Sequence, residues 1–212
     1  VRLPRALIVV AAVAATVLGS LLMLLAGDGA PFGWDRAIQH AMRAGGDAAG
    51  LRGAMVAFTA LGDGAVLTGV VAGVAGLLLV LGRRGTAATV VLATASGGVV
   101  AALAKLLVAR PRPDIAGRLV EVSGLSFPSG HAMNSAIIYL TLASLVTHVE
   151  RGRQVRRYTL AVAMLLVGTI GASRVYLGVH WPSDVLAGWC AGTVWAIGWW
   201  WVAQLRGVRP AR

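Results

Sequence analysis

This chain of 212 residues has one cysteine, one lysine and only eight acidic residues, and these scarcities narrow what it can be. A single cysteine, Cys190, excludes an intrachain disulfide framework and a thiolate metal cluster. It stands inside an apolar run, where a free cysteine behaves as a small buried hydrophobe. The shortage of acid leaves a formal charge of +11. A basic protein of this kind could bind nucleic acid, but that requires its cations gathered on one soluble face. Here they fall in short patches between apolar runs, as in membrane loops, so no nucleic-acid partner is expected. Internal repeats and low-complexity linkers are also missing, and Gly-rich pieces such as GGDAAG are too short to separate domains. Residues 1–212 therefore read as a single domain.

What is abundant is apolar surface: 58% of the residues are hydrophobic and the mean hydropathy is +0.78. Apolar runs recur at Ala6 to Ala26, Ala65 to Leu81, Thr86 to Ala109, Ala132 to Val149, Tyr158 to Ala172 and Val185 to Leu205. The first follows Arg2 and Arg5 as a signal peptide would, yet it is about the ~20 residues that cross a bilayer, longer than the roughly 7 to 15 of a secretory core. It reads as a retained span. Lipid offers the backbone no hydrogen-bond partners, so the runs must be helices. The expected fold is all-α, a polytopic membrane protein built as a six-transmembrane-helix bundle.

Between the first two spans, Pro31 to Arg52 has a different pattern. Trp34, Ile38 and Met42 recur every four residues, with Asp35, Arg36, Gln39 and Arg43 at other positions. That spacing predicts an amphipathic helix lying in the interface; a polar loop with a few apolar residues is the alternative. With six spans, one side of the membrane receives Arg2, Arg5, Arg83, Arg84, Arg151, Arg153, Arg156, Arg157, Arg206, Arg209 and Arg212 against Glu150 alone. The other receives eight basic residues and the remaining seven acidic ones. The side rich in arginine is cytoplasmic by the positive-inside rule, which places both termini there in a cell membrane.

That count turns two loops outward, Arg110 to His131 and Ser173 to Asp184, and these hold the residues capable of chemistry. Lys105, the only lysine, lies near the end of an apolar helix, where it either snorkels to the headgroups or meets an anion. Pro111 and Pro113 stop the helix and hold Arg112 in place. In FPSGH, Ser129 has the position of an N-cap and Gly130 allows close backbone approach, so this helix start could receive phosphate. Alternatively, Ser129 is only a cap and His131 an interfacial histidine. In SRVYLGVHWPSD, His180 and Asp184 are four residues apart at the start of the last span, so a helix there places them on one face. A carboxylate on one imidazole nitrogen fixes the tautomer and frees the other as nucleophile or base, although such a pair is also a common structural device. Arg174 adds a third cation. Of the remaining marked residues, Asp63 either caps the second span or touches this site. Trp195, Trp199, Trp200 and Trp201 suit an aromatic belt.

Taken together the spacings are K-x6-R-P, P-S-G-H and S-R-x5-H-x3-D, and in this order they resemble the three signature motifs of the type 2 phosphatidic acid phosphatase superfamily, the membrane lipid phosphatases. The resemblance implies that His180 is the nucleophile, Asp184 its orienter and His131 the acid on the leaving oxygen. It further implies that Lys105, Arg112 and Arg174, with backbone N–H groups near Ser129 and Gly130, hold the phosphoryl oxygens. No metal or cofactor is expected, since the motifs contain only Asp114 and Asp184 as acids, too few for two-metal chemistry. An outward site at headgroup depth suits a lipid phosphate or diphosphate in the bilayer. Undecaprenyl diphosphate is the first expectation, with phosphatidylglycerophosphate and phosphatidate as alternatives. A phosphotransferase, or a non-catalytic membrane binding protein, are the rival readings. Oligomeric state is not legible.

Overall fold

A computed structural model describes residues 3–26, 29–44, 49–113, 118–149 and 152–206. Asp114 lies outside the described residues, as do Arg2, Glu150, Arg151, Arg209 and Arg212 of the charge count. The described residues form eight helices and no strand: α1 (Arg5–Leu25), α2 (Gly33–Arg43), α3 (Ala49–Ala60), α4 (Gly64–Val80), α5 (Arg84–Val108), α6 (Gly130–Val149), α7 (Arg153–Tyr176) and α8 (Pro182–Leu205). Among them α1, α5, α7 and α8 are long and apolar enough to cross a bilayer, and α3 with α4, bent by 47° at their junction, makes a fifth candidate. Large apolar side chains such as Val9, Val13, Met23, Val80, Leu106 and Leu107 stand exposed, a surface suited to lipid.

Most helix ends match the apolar runs closely, but α7 begins at Arg153, five residues before Tyr158, and ends at Tyr176, four after Ala172. Apolarity marks only the part of a helix meant for lipid, and the hydrogen-bond ladder continues past it. Within the segment from Pro31 to Arg52 the described residues form α2 and the start of α3. Trp34 and Ile38 are exposed, as an interfacial stripe would be, but Asp35 is fully buried, a correction to the polar face that the spacing predicts for it. It accepts from the Phe32 N–H at 3.1 Å and from two partners on α8 and the α5 end described below. Asp63 caps α4, accepting from the Ala65 N–H at 2.9 Å. Trp195 is half-buried. Its Nε1 donates to the Ala93 carbonyl at 3.0 Å, pinning α8 to α5.

The bundle is organised around α6, where Ala132, Met133, Ala136 and Ile137 are almost wholly buried. Against it α8 packs nearly backbone to backbone. A β-carbon on Gly188 would stand 2.8 Å from the Ser129 carbonyl oxygen and 3.0 Å from Ala132 Cβ. On Gly192 it would stand 2.6 Å from the Met133 carbonyl oxygen and 2.7 Å from Ala136 Cβ. Both pairs are four residues apart, so a glycine stripe meets an alanine stripe, the small-residue contact that lets membrane helices approach. Leu21 and Leu25 of α1 pack with Phe127 and Ala187. The end of α1, the starts of α6 and α8 and the ends of α5 and α7 thus meet at one end of the bundle, where all three motifs lie.

Candidate active site

The centre of this end is the turn joining α7 to α8. His180 precedes the helix: Trp181 is the N-cap and Pro182 the first helical residue, where a missing N–H costs nothing. The expectation that His180 and Asp184 share a helix face is therefore corrected. They meet because the Asp184 carboxylate folds back over the start of the helix, its Oδ2 accepting from the Trp181 N–H at 2.9 Å, and there stands 3.6 Å from His180 Nδ1. Ser126 Oγ donates to the same oxygen at 2.5 Å and lies 3.4 Å from Nδ1. On the far side of the ring, Arg112 Nη1 is 3.0 Å from Nε2 and also donates to the Val179 carbonyl at 2.8 Å. A guanidinium only donates, so Nε2 accepts and the proton sits on Nδ1. The nitrogen facing Arg112 is the one with the free pair.

Three cations, Lys105, Arg112 and Arg174, lie close enough here to act on one another. Arg112 also donates to the carbonyls of Gly124 and Ser123, and Lys105 Nζ donates to the Leu125 carbonyl at 3.0 Å. Arg174 Nη1 donates to Thr59 Oγ1 at 2.8 Å, while its Nε is buried without a partner. Among the described residues none of the three has a carboxylate within ion-pair distance. Burial, and then the neighbouring Arg118 charge, lower the Arg112 pKa from its ordinary value, although a guanidinium remains charged at any working pH. The charges acting on His131 come from Arg174, His180, Asp63 and Arg112, so both histidines face the same cluster. Gly130 lies beside Lys105, whose Cε is 3.8 Å from where a β-carbon of Gly130 would stand.

Ser129 differs from expectation in one respect. Its carbonyl begins α6 by accepting from the Met133 N–H at 2.9 Å, but its hydroxyl is buried with no partner and its own N–H donates to the Asp184 carbonyl at 3.0 Å. That backbone donor is committed to joining α6 to α8. The N–H groups of the first turn that follow, from Gly130 onward, have no helical acceptor, as at any helix start.

Sequence reasoning missed Arg110, Asp35, Ser126 and Ser183. Arg110 follows Ala109, whose φ of 49° turns the chain inward at the end of α5. Arg110, Asp35 and Asp184 are all at 0% exposure, with Arg110 2.9 Å from Asp35 and 2.6 Å from Asp184. Asp35 in turn accepts from the Ser183 N–H at 2.8 Å and from its hydroxyl at 2.7 Å. The one signal available was an arginine two residues before Arg112, at the end of an apolar run.

Burial, against the partial support of Asp184, pushes the His180 pKa down from 6.5 to about 4. Between those values the unfolded chain binds a proton that the folded chain refuses, so stability is lost as pH falls through that window. The unfolding midpoint in detergent is expected to drop from pH 6.5 toward 4, and His180→Gln to remove part of that slope. An unchanged slope in the variant refutes the assignment.

A family model described as the PAP2 superfamily matches residues 86–207. Phosphatidylglycerophosphatase B of Bacillus subtilis (strain 168) is 44% identical over 84 residues, 39% of this chain and 41% of that protein. Decaprenylphosphoryl-5-phosphoribose phosphatase of Mycobacterium tuberculosis (strain H37Rv) is 41% identical over 102 residues, 46% of this chain and 51% of that one. The chain thus matches about half or less of the length of these curated relatives. The crystal structure of the transmembrane PAP2 type phosphatidylglycerolphosphate phosphatase from Bacillus subtilis is similar with a TM-score of 0.80 and 27% identity, covering 91% of this chain and 96% of that one. That of Aquifex aeolicus LpxE gives 0.62 and 25%, covering 80% and 96%. The family match takes in more than half of the chain, from α5 through α8, with the lysine, the three arginines, both histidines and Asp184 inside it; the chain belongs to the PAP2 superfamily.

Proposed function

We propose that this protein is a membrane lipid phosphatase that transfers the phosphoryl group of a lipid phosphate to His180 and then to water. The observation that carries the reading is three cations, Lys105, Arg112 and Arg174, with no carboxylate partner among the described residues, near a histidine whose Nε2 free pair faces Arg112. Such a cluster is stable only while solvated or while holding an anion, and the unpartnered Arg174 Nε and Ser129 hydroxyl are donors waiting for one.

In the first step Arg112 gives up Nε2 for a phosphoryl oxygen. A His180–phosphorus bond forms as the phosphorus–ester oxygen bond breaks, and His131 supplies the proton to the leaving alkoxide or phosphate. Asp184 steadies the charge left on the phosphorylated ring. In the second step water attacks phosphorus, His131 takes its proton, and the nitrogen–phosphorus bond breaks. Both steps depend on positioning and on preorganised positive charge. Gly130 and the first turn of α6 add N–H donors and the positive end of a helix dipole. One histidine must be neutral and the other protonated, so turnover follows a bell-shaped pH profile.

The site carries cations and histidines, and the carboxylate beside His180, Asp184, is already engaged by Arg110, Ser126 and the Trp181 N–H. A metal is not part of the scheme. α6 is taken as a sixth span enclosed by the others, with α2 at the interface, both termini cytoplasmic and the site outward. That position favours a polyprenyl diphosphate such as undecaprenyl diphosphate. The likeness to the Bacillus subtilis phosphatidylglycerolphosphate phosphatase favours a second reading, a glycerophospholipid monoester.

Phosphate release from undecaprenyl diphosphate, phosphatidylglycerophosphate, phosphatidate and a soluble sugar phosphate, each with and without EDTA, tests the whole. Lipid substrates are expected to be preferred and EDTA to have no effect. Preference for the sugar phosphate refutes the lipid assignment, transfer to a second lipid in place of water refutes hydrolysis, and loss in EDTA restored by Mg²⁺ refutes the metal-free scheme.

A further inference from the structure

Arg110 uses all five of its N–H donors inside the protein. Nε donates to the Gly29 carbonyl at 3.0 Å; Nη2 donates to the Ala30 carbonyl at 3.3 Å and to Asp35 Oδ2 at 2.9 Å. Nη1 donates to Ser183 Oγ at 2.7 Å and to Asp184 Oδ1 at 2.6 Å. The Phe32 ring lies beneath the guanidinium, 5.6 Å from its centroid. A side chain with five donors and no acceptor is rarely satisfied so completely. Two carboxylates and one guanidinium at 0% exposure would also be costly merely to tie helices together, since buried ion pairs seldom outperform apolar packing.

We infer that Asp35, from α2 and outside the family-matched segment, is a positioning residue for the reaction, acting through Arg110 on Asp184 and so on the tautomer and basicity of His180. Oδ1 of Asp184 is taken by Arg110, which leaves Oδ2 for the side of His180 Nδ1. The carboxylate therefore cannot rotate away without breaking its ion pair with Arg110. Asp35 shares the guanidinium, and so limits how much of the Asp184 charge Arg110 neutralises. The negative charge left over is what holds a proton on Nδ1 and stabilises the ring once Nε2 carries phosphorus. The inference rests on the phosphohistidine reading for its kinetic consequence but not for its titration.

The groups facing His180 are Asp184 of α8, Arg112 and Ser126 of the segment between α5 and α6, Arg174 of α7 and His131 of α6; Lys105 of α5 faces Asp184. None of them is altered by Asp35→Asn. Removing that carboxylate leaves Arg110 to act on Asp184 alone, the imidazolium is held less well, and His180 titrates at lower pH.

The chain has four histidines, so ¹⁵N-histidine labelling of the full-length protein in detergent micelles gives few ring signals, with His180 identified by His180→Gln. The expected result is an Nδ1–H tautomer for His180 in the unaltered protein. In Asp35→Asn the titration midpoint moves down by about half a pH unit or more. With it kcat falls about tenfold at unchanged KM, since a less basic nitrogen attacks more slowly, and Asp35→Glu recovers part of the loss. An Asp35→Asn protein that unfolds at the same temperature, with His180 titration and kcat unchanged or with the midpoint raised, overturns the inference. Should Asp35→Asn not fold, Asp35→Glu, which keeps the charge but displaces the oxygens along the Arg110 guanidinium, is titrated in its place. A moved titration then supports the linkage and an unmoved one overturns it. Absence of lipid phosphatase activity in the unaltered protein would sink the proposed function instead, and the histidine titration would still decide the linkage from Asp35 to His180.

Discussion

His180→Ala is expected to lower phosphate release from a lipid phosphate by about 10⁴-fold or more, with the unfolding temperature little changed. The fold survives because Asp184 keeps its bonds to Arg110, Ser126 and the Trp181 N–H when the ring is gone. His131→Ala is expected to cost about 10²- to 10⁴-fold on lipid esters, the range of general acid–base catalysis. The two variants separate on a substrate with a good leaving group. With p-nitrophenyl phosphate, bond cleavage needs no acid, so His131→Ala should release a burst of nitrophenol and then stall, with phosphate trapped on the protein in acid-labile, alkali-stable form. His180→Ala should show no burst. Turnover by His180→Ala within tenfold of the unaltered enzyme would remove the nucleophile from the scheme.

The second large effect is structural. Gly192→Val should destabilise the protein by about 3 kcal/mol or more, seen as loss of monodisperse protein and a lower unfolding temperature in detergent. The atoms a β-carbon would strike are the Met133 carbonyl oxygen at 2.6 Å and Ala136 Cβ at 2.7 Å, one of them backbone and the other attached directly to it, neither able to swing aside. Separating α8 from α6 also stretches the bond from the Ser129 N–H to the Asp184 carbonyl, so the surviving folded fraction should have reduced activity. Gly198→Val, six residues on in the same helix with nothing within 4 Å of its would-be β-carbon, is the control and should cost under about 1 kcal/mol. Equal effects at the two positions would show that helix propensity rather than close approach governs α8.

Much of this was legible in one dimension because the membrane imposes simple demands. A stretch that must satisfy its backbone in lipid has to be apolar for the length of a span, and α1, α4, α5 and α8 lie where such stretches do. The residues of the three motifs could be picked out because lysine, histidine and arginine are expensive beside lipid and stand out there. Other features carried no such mark. Asp35 shares its segment with Arg36 and Arg43 and looks like one more polar residue of an interfacial stretch, until the fold closes Arg110 and Ser183 over it. Likewise Ser126, one residue before a recognisable motif, acquires its place on Asp184 only when the segment between α5 and α6 lies over the start of α8.

By itself the amino-acid order determined an all-helical membrane protein of this superfamily and singled out Lys105, Arg112, His131, Arg174, His180 and Asp184 as the residues proposed for its chemistry, because solvation energy and motif spacing are properties of neighbours in the chain. Tertiary structure alone decided which imidazole nitrogen is free, which donors stand empty and which buried arginine holds the aspartate. Those depend on distances of a few ångströms between residues as much as 148 positions apart, as Asp35 and Ser183 are, and no local pattern records them.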